Sequence, residues 1–219
     1  MKINLQTNPY VTMWTEPKTT LRKVLKENPK QGFIVLSFFY GLVQGLNLAQ
    51  GLSFGKDLSL WMILLTVLLL AIPIGVIYFN VSAAFFYFVG KLIKGKGSFI
   101  EVRASVVWAN VTQIASALIS GFMVLYFQKS FFLNEFLLQP FEQTPLIFVT
   151  IFLLSQIVLS VWTFVIFVAA LSEAQQISIW KSIANIILAN LVVIAIIFIM
   201  GKIMMLMGAD PIAFFGGII

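Results

Sequence analysis

Glu173 is the carboxylate of this sequence best placed to do chemistry, and its neighbours do not supply what chemistry needs. A general acid or base works with a second titratable group or a nucleophile within hydrogen-bond reach, and no two acidic residues fall where helical spacing would pair them. The 219-residue chain has no histidine and no cysteine. That removes imidazole bases, thiolate nucleophiles, disulfides and nearly all zinc or haem ligation. No serine has a candidate base. Glu173 therefore reads as a helix-end carboxylate in a protein expected to have no enzymatic activity, metal or cofactor.

The stretch GKLIKGKGS, Gly90 to Ser98, sets lysines among glycines as phosphate-cradling loops do. It lacks the G-x-x-x-x-G-K-[ST] spacing and follows an apolar helix where such a loop follows a strand. Its glycines permit positive φ and a tight turn, and Ser98 with Glu101 three residues on is a capping box for the next helix. A sharp basic hairpin results, whose Lys94 and Lys96 suit anionic headgroups rather than nucleotides. The remaining polar chemistry is carried by amides inside apolar runs: Gln44, Asn47, Asn80, Asn110, Gln113, Gln156, Asn185 and Asn190. Gln44 with Asn47, and Asn110 with Gln113, are spaced to share one helix face. Interhelical hydrogen bonds, at about 0.6 kcal/mol each, are one use of such pairs; a polar cleft for a small solute or lipid headgroup is the other. Gly41 with Gly45 and Ala117 with Gly121 are small-xxx-small steps that let helices approach.

The elements that must position these residues are membrane helices. The chain is 60% hydrophobic and 10% charged, with a mean hydropathy of +1.01, far from a soluble composition. Apolar runs at Gly32 to Gly51, Leu58 to Phe88, Ala104 to Phe127, Pro145 to Leu171 and Ser182 to Met207 each reach the ~20 residues a helix needs to cross a bilayer. The second is long enough for one kinked helix or for two short ones split at Pro73. Basic residues decide between them, because they collect in cytoplasmic loops. With five spans and the N-terminus inside, 11 of the 14 lysines and arginines fall inside, leaving only Lys56, Lys129 and Lys202 outside; splitting at Pro73 spoils that bias. The expected architecture is all-α: a polytopic bundle of five transmembrane helices with an N-terminal interfacial amphipathic helix.

That helix is expected from Pro17. Leu21, Val24 and Leu25 share one face and Lys18, Arg22, Lys23 and Lys26 spread over the other, so it should lie on the inner leaflet, with Trp14 at headgroup level. Pro29 and Gly32 then break it. The segmentation is 1–31 for the cytoplasmic N-terminal part, 32–208 for the membrane domain and 209–219 for an apolar outer tail. The outer loop Gln128 to Thr144 is also apolar, and Phe131, Phe132 and Phe136 are expected in a short interfacial helix or a docking surface.

Three stretches carry a resemblance. NPYVTMWTEPKTTLRKVLKENP from Asn8, GKLIKGKGSFIEVRASVVWANV from Gly90 and ALSEAQQISIWKSIANIILANL from Ala170 resemble the cytoplasmic signatures of the Yip1 family. These are an aromatic-Thr-x-Pro-basic opening, a Gly-Lys-Gly-Ser-Phe link between spans two and three, and an Ala-Glu-Ala-Gln-like turn before a Trp-basic pair at Trp180. The resemblance implies a five-span domain with a cytoplasmic N-terminus and, in eukaryotic relatives, a role in trafficking between the endoplasmic reticulum and Golgi with small Rab-type GTPases. The sequence lacks the long polar N-terminal region of those relatives, and so resembles a prokaryotic member; some bacterial relatives occur beside exporter components as accessory subunits. The expected function is thus an accessory or organising subunit for other membrane components, multi-pass in a bacterial cytoplasmic membrane. The alternatives are a passive lipid or solute conduit through the amide-lined bundle, and a bilayer-shaping protein. Expected partners are membrane lipids, anionic at the cytoplasmic face, with a membrane protein or a second copy, and no nucleic acid. Contacts are expected at Trp14, Lys18, Arg22, Lys23, Lys26, Lys94, Lys96, Glu173 and Trp180.

Overall fold

A computed structural model describes residues 8–134, 136 and 146–207. Its helices are α1 (Pro9–Thr12), α2 (Pro17–Glu27), α3 (Phe33–Gly51), α4 (Phe54–Asp57), α5 (Leu60–Leu92), α6 (Phe99–Ala109), α7 (Gln113–Phe127), α8 (Leu146–Gln175) and α9 (Ile179–Leu206). Short 3-10 turns at Asn110–Thr112 and Gln128–Phe132 follow α6 and α7. Five of these units are long and apolar enough to cross a membrane: α3, α5, α6 with α7, α8 and α9. The outer apolar tail at 209–219 and Leu137 to Thr144 of the outer loop lie outside the described residues.

Local chemistry sets the starts. Ser59, Ser98 and Ser178 each accept a hydrogen bond from the third backbone N–H of α5, α6 and α9, which satisfies a donor the helix cannot. Ser98 and Glu101 close the expected capping box. Pro73 sits inside a single continuous α5. Helices α5, α6 and α8 overrun the hydropathy-based limits because they continue through the charged residues Lys91, Glu101, Arg103 and Glu173. The third span breaks at Asn110–Thr112, where Asn110 Nδ2 donates to the Val106 carbonyl and the Thr112 and Thr163 hydroxyls bond each other; such side chains compete with the helical ladder.

Packing divides the bundle into pairs. Helices α3 and α5 pack along Ser37, Gly41 and Gly45 on one side and Val67, Ala71 and Gly75 on the other, so closely that a β-carbon at Gly41 would stand 1.7 Å from the Ala71 carbonyl oxygen. Ala117 with Gly121 does not act this way: nothing lies within 4 Å of a β-carbon at Gly121. It faces an apolar groove bounded by Leu42, Leu64, Leu68 and Leu125. Helices α8 and α9 pair at one end, where Ser182 Oγ donates to the Val168 carbonyl, and α6 with α7 runs between the two pairs. Past Ala189 no described residue of α9 is buried.

Apolar clusters hold the ends, with a smaller one of Val102, Val168, Leu171 and Ile186 joining α6, α8 and α9. At the end carrying α2 and the basic loops, here the basic end, Met13, Leu21, Val24, Phe79, Trp108, Ile166 and Ala170 pack together. The amphipathic helix begins at Pro17 as expected, but its apolar side lies on protein: Leu21 and Val24 are buried against α6 and α8 rather than facing lipid. The cause is a complementary apolar surface at Trp108 and Ile166, which an isolated segment does not reveal. At the opposite end Ile63, Val67, Phe131, Phe132, Phe136 and Phe152 form the second cluster. The outer-loop phenylalanines thus turn inward, tied by Gln50 Nε2 donating to the Phe131 carbonyl and by the Asn134 N–H donating to Ser53 Oγ.

Candidate functional site

The basic end is a locked surface. Arg22 Nε donates to Glu173 Oε1 at 2.7 Å and its Nη2 to Oε2 at 3.0 Å, a bidentate fork across 151 residues of sequence. The hydrogen bond and the negative charge of Glu173 raise the guanidinium pKa. Trp14 is partly buried against the apolar cluster of this end, and its carbonyl accepts from Trp162 Nε1 at 3.1 Å. The expected positive φ in the hairpin falls on Lys94, at 67°. Its glycines serve proximity instead: a β-carbon at Gly90 would stand 2.0 Å from Gln175 Nε2, and one at Gly97 2.3 Å from the Ala174 carbonyl oxygen.

Gln175, which sequence reasoning passed over, is the hub of this end. It is 1% exposed. Its Nε2 donates to the Phe86 carbonyl, its Oε1 accepts from Asn185 Nδ2, and its own carbonyl accepts from the Lys96 N–H. One side chain thus joins α5, α8 and α9. The available signal was an amide at a span end two residues after Glu173. Around this framework Lys23, Lys26, Lys94 and Lys96 are exposed, Lys18 is half-buried, and Trp180 is 80% exposed.

The amides converge elsewhere. A cavity of about 650 Å³ lies between the two helix pairs with α6 and α7 behind it; Gln44, Asn47, Asn110, Gln113, Gln156 and Asn190 line it, as do Ser116, Ser160 and Thr163. At ~1.5 Å per residue, Asn47 is about 21 Å along α3 and Asn190 about 16 Å along α9 from their first residues, both within helices apolar and long enough to cross a membrane. Ser116 Oγ donates to Gln156 Oε1. Gln113 Oε1 and Gln156 Nε2 are buried with no hydrogen-bond partner among the described residues. Asn80 is not part of this set: its Oδ1 accepts from Arg103 Nη1 at 3.0 Å, and the guanidinium lies 4.5 Å over the Phe33 ring. Asn185 belongs to the Gln175 hub.

The family model of the Yip1 domain matches residues 11–201, nearly the whole described bundle. The chain belongs to the Yip1 family. No curated protein and no solved structure matches it. In this Yip1 chain the three signature stretches meet at one end: the first supplies Arg22, the third Glu173 and Gln175, and the second the hairpin whose Lys96 N–H bonds Gln175. The Yip1 bundle also forms a polar cavity, open on one side, lined by residues of α3 and of α5 to α9.

Proposed function

We propose that this multi-pass Yip1-family protein is a non-enzymatic accessory or organising subunit that engages another membrane protein through its basic end. The observation that supports this is the Arg22–Glu173 fork, which joins distant segments on one surface while leaving Trp180, Lys94 and Lys96 exposed. Exposed aromatic and basic loop residues on a fixed scaffold are typical of binding surfaces. A trafficking or exporter setting follows from the family resemblance. Glu173 and Arg22 bind each other on this surface, and we propose that they act by holding it together.

The test is purification in mild detergent. A partner present at constant stoichiometry should be recovered with the intact chain, and Trp180→Ala should weaken that association by about 2 kcal/mol, roughly 30-fold. Lys94→Ala with Lys96→Ala should act in the same direction and grow less important with salt. If both variants retain the partner at full stoichiometry, this surface is not the contact.

We also propose, from the charge bias, that the basic end faces the cytoplasm. The chain has no cysteine, so single substitutions have no background. Lys56→Cys and Lys129→Cys should react with an impermeant thiol reagent added to intact cells, while Lys26→Cys, Lys96→Cys and Lys181→Cys should not. Labelling at Lys96→Cys with protection at Lys129→Cys reverses the orientation.

A second reading, a passive conduit, has the amide-lined cavity in its favour. The apolar clusters at both ends oppose a continuous polar path through the bundle.

A further inference from the structure

We propose that the amide-lined cavity is a binding site for the uncharged, hydroxyl-bearing headgroup of a lipid, of the glycerol or sugar type, which enters from the side. The inference deepens the cavity of the second reading and does not depend on the partner reading.

The lining selects the chemistry. Six amides and the hydroxyls of Ser116, Ser160 and Thr163 offer donors and acceptors, and no Lys, Arg, Asp or Glu is among the lining residues. Gln113 Oε1 needs a donor and Gln156 Nε2 needs an acceptor. A hydroxyl is both at once. A phosphate offers acceptors and a charge that nothing in the lining balances; an ammonium offers only donors and the same difficulty. A volume of about 650 Å³ falls within the usual range for small-molecule sites.

The surroundings select the route. Trp108, Phe79 and Ile166 lie in the cluster at the basic end, and Phe131, Phe132 and Phe152 in the cluster at the other, so polar access along the bundle axis is blocked by apolar packing at each end. Asn47, Ser160 and Asn190, all lining the cavity, are exposed on helices apolar and long enough to cross a membrane. From Asn190 onward the described part of α9 buries no residue, which leaves that flank open toward the acyl chains. Hydrocarbon cannot satisfy exposed amides, whereas a headgroup in the cavity with its chains leaving beside α9 satisfies the amides and keeps the chains in lipid.

The experiment uses the full chain in single nanodiscs of phosphatidylcholine with labelled dioleoylglycerol as the probe. Saturable binding at one per chain is expected, weakened at least tenfold by Gln113→Leu with Gln156→Leu. Gln113→Leu deletes an unpartnered atom, whereas Gln156→Leu also removes the acceptor of the Ser116 hydroxyl, so some thermal stability should be lost while the detergent-extracted size is retained; Lys18→Ala, remote from the cavity, should bind as the intact chain does. Absence of saturable binding to the intact chain, or equal binding by the double variant, overturns the proposal. Equal competition by phosphatidic acid overturns the requirement for an uncharged headgroup. Occupancy by free glycerol as tight as by dioleoylglycerol overturns the lipid source in favour of an aqueous polyol. A dimer in nanodiscs that dissociates on Asn47→Leu with Asn190→Leu, without probe binding, assigns the open flank to a second copy instead. Binding is read at equilibrium, so a negative solute-flux result leaves it standing.

Discussion

Gly75→Val is expected to separate α3 from α5 and to cost about 3 kcal/mol or more, the upper end of overpacking effects. A β-carbon there would stand 2.0 Å from the Ser37 carbonyl oxygen and 2.6 Å from the Ser37 carbonyl carbon. The obstacle is backbone, so no rotamer change relieves it. One helix must move by more than an ångström, and the same stripe holds Gly41 against Ala71; displacing one contact loosens the other. Close packing rather than hydrophobic transfer holds helices together in lipid, so little else compensates. Thermal unfolding in detergent should show a large loss for Gly75→Val and a near-normal transition for Gly121→Val, whose β-carbon meets open space. Equal behaviour of the two variants would refute this packing argument.

Trp108→Ala is expected to cost about 3–5 kcal/mol, the usual range for deleting a fully buried large aromatic. The ring is 0% exposed and stands 5.0 Å from the Tyr10 ring, whose phenol pKa is raised by burial. It also fills the space that a β-carbon at Gly32 would need, 2.8 Å from Trp108 Cζ2; Gly32, at φ 76°, is the residue that turns the chain into α3. Losing Trp108 therefore undoes the seat of α1 and α2 on the bundle. The indole N–H has no partner among the described residues, so Trp108→Phe should retain most of the stability. Denaturation of both variants in detergent settles the order: an alanine variant within 1 kcal/mol of the parent, or a phenylalanine variant equal to it, contradicts this role.

The spans were legible because hydropathy reports a one-dimensional quantity, depth, and five runs supply it. Helix α2 was legible from Pro17 and its two-sided pattern, and the turn before α6 from Ser98 and Glu101. What covers a helix face was not. Amphipathicity at Leu21 and Val24 looks the same whether lipid or protein takes the apolar side, and only Trp108 and Ile166 on distant helices decide it. Phe131, Phe132 and Phe136 were read as outward-facing for the same reason. The amides show the limit from the other side. Spacing places Gln44 with Asn47 and Asn110 with Gln113 on common faces, yet their meeting with Gln156 and Asn190, and the departure of Asn80 to Arg103, depend on which helices are neighbours. The close approach of Gly75 is likewise invisible in the sequence, because the backbone it meets, at Ser37, belongs to another helix.

The fork between Arg22 and Glu173 spans 151 residues of sequence, and this fixes an order of events during synthesis. At ~5–20 residues per second, about 8 to 30 s separate the two ends of that bond on the ribosome. Trp108 and Ile166, which cover Leu21 and Val24, are also made long after them. A nascent α2 therefore passes through an interval in which no protein surface exists to receive its apolar side. The leaflet next to it is then the apolar surface available, and docking onto the finished bundle is a late step of biogenesis rather than its beginning.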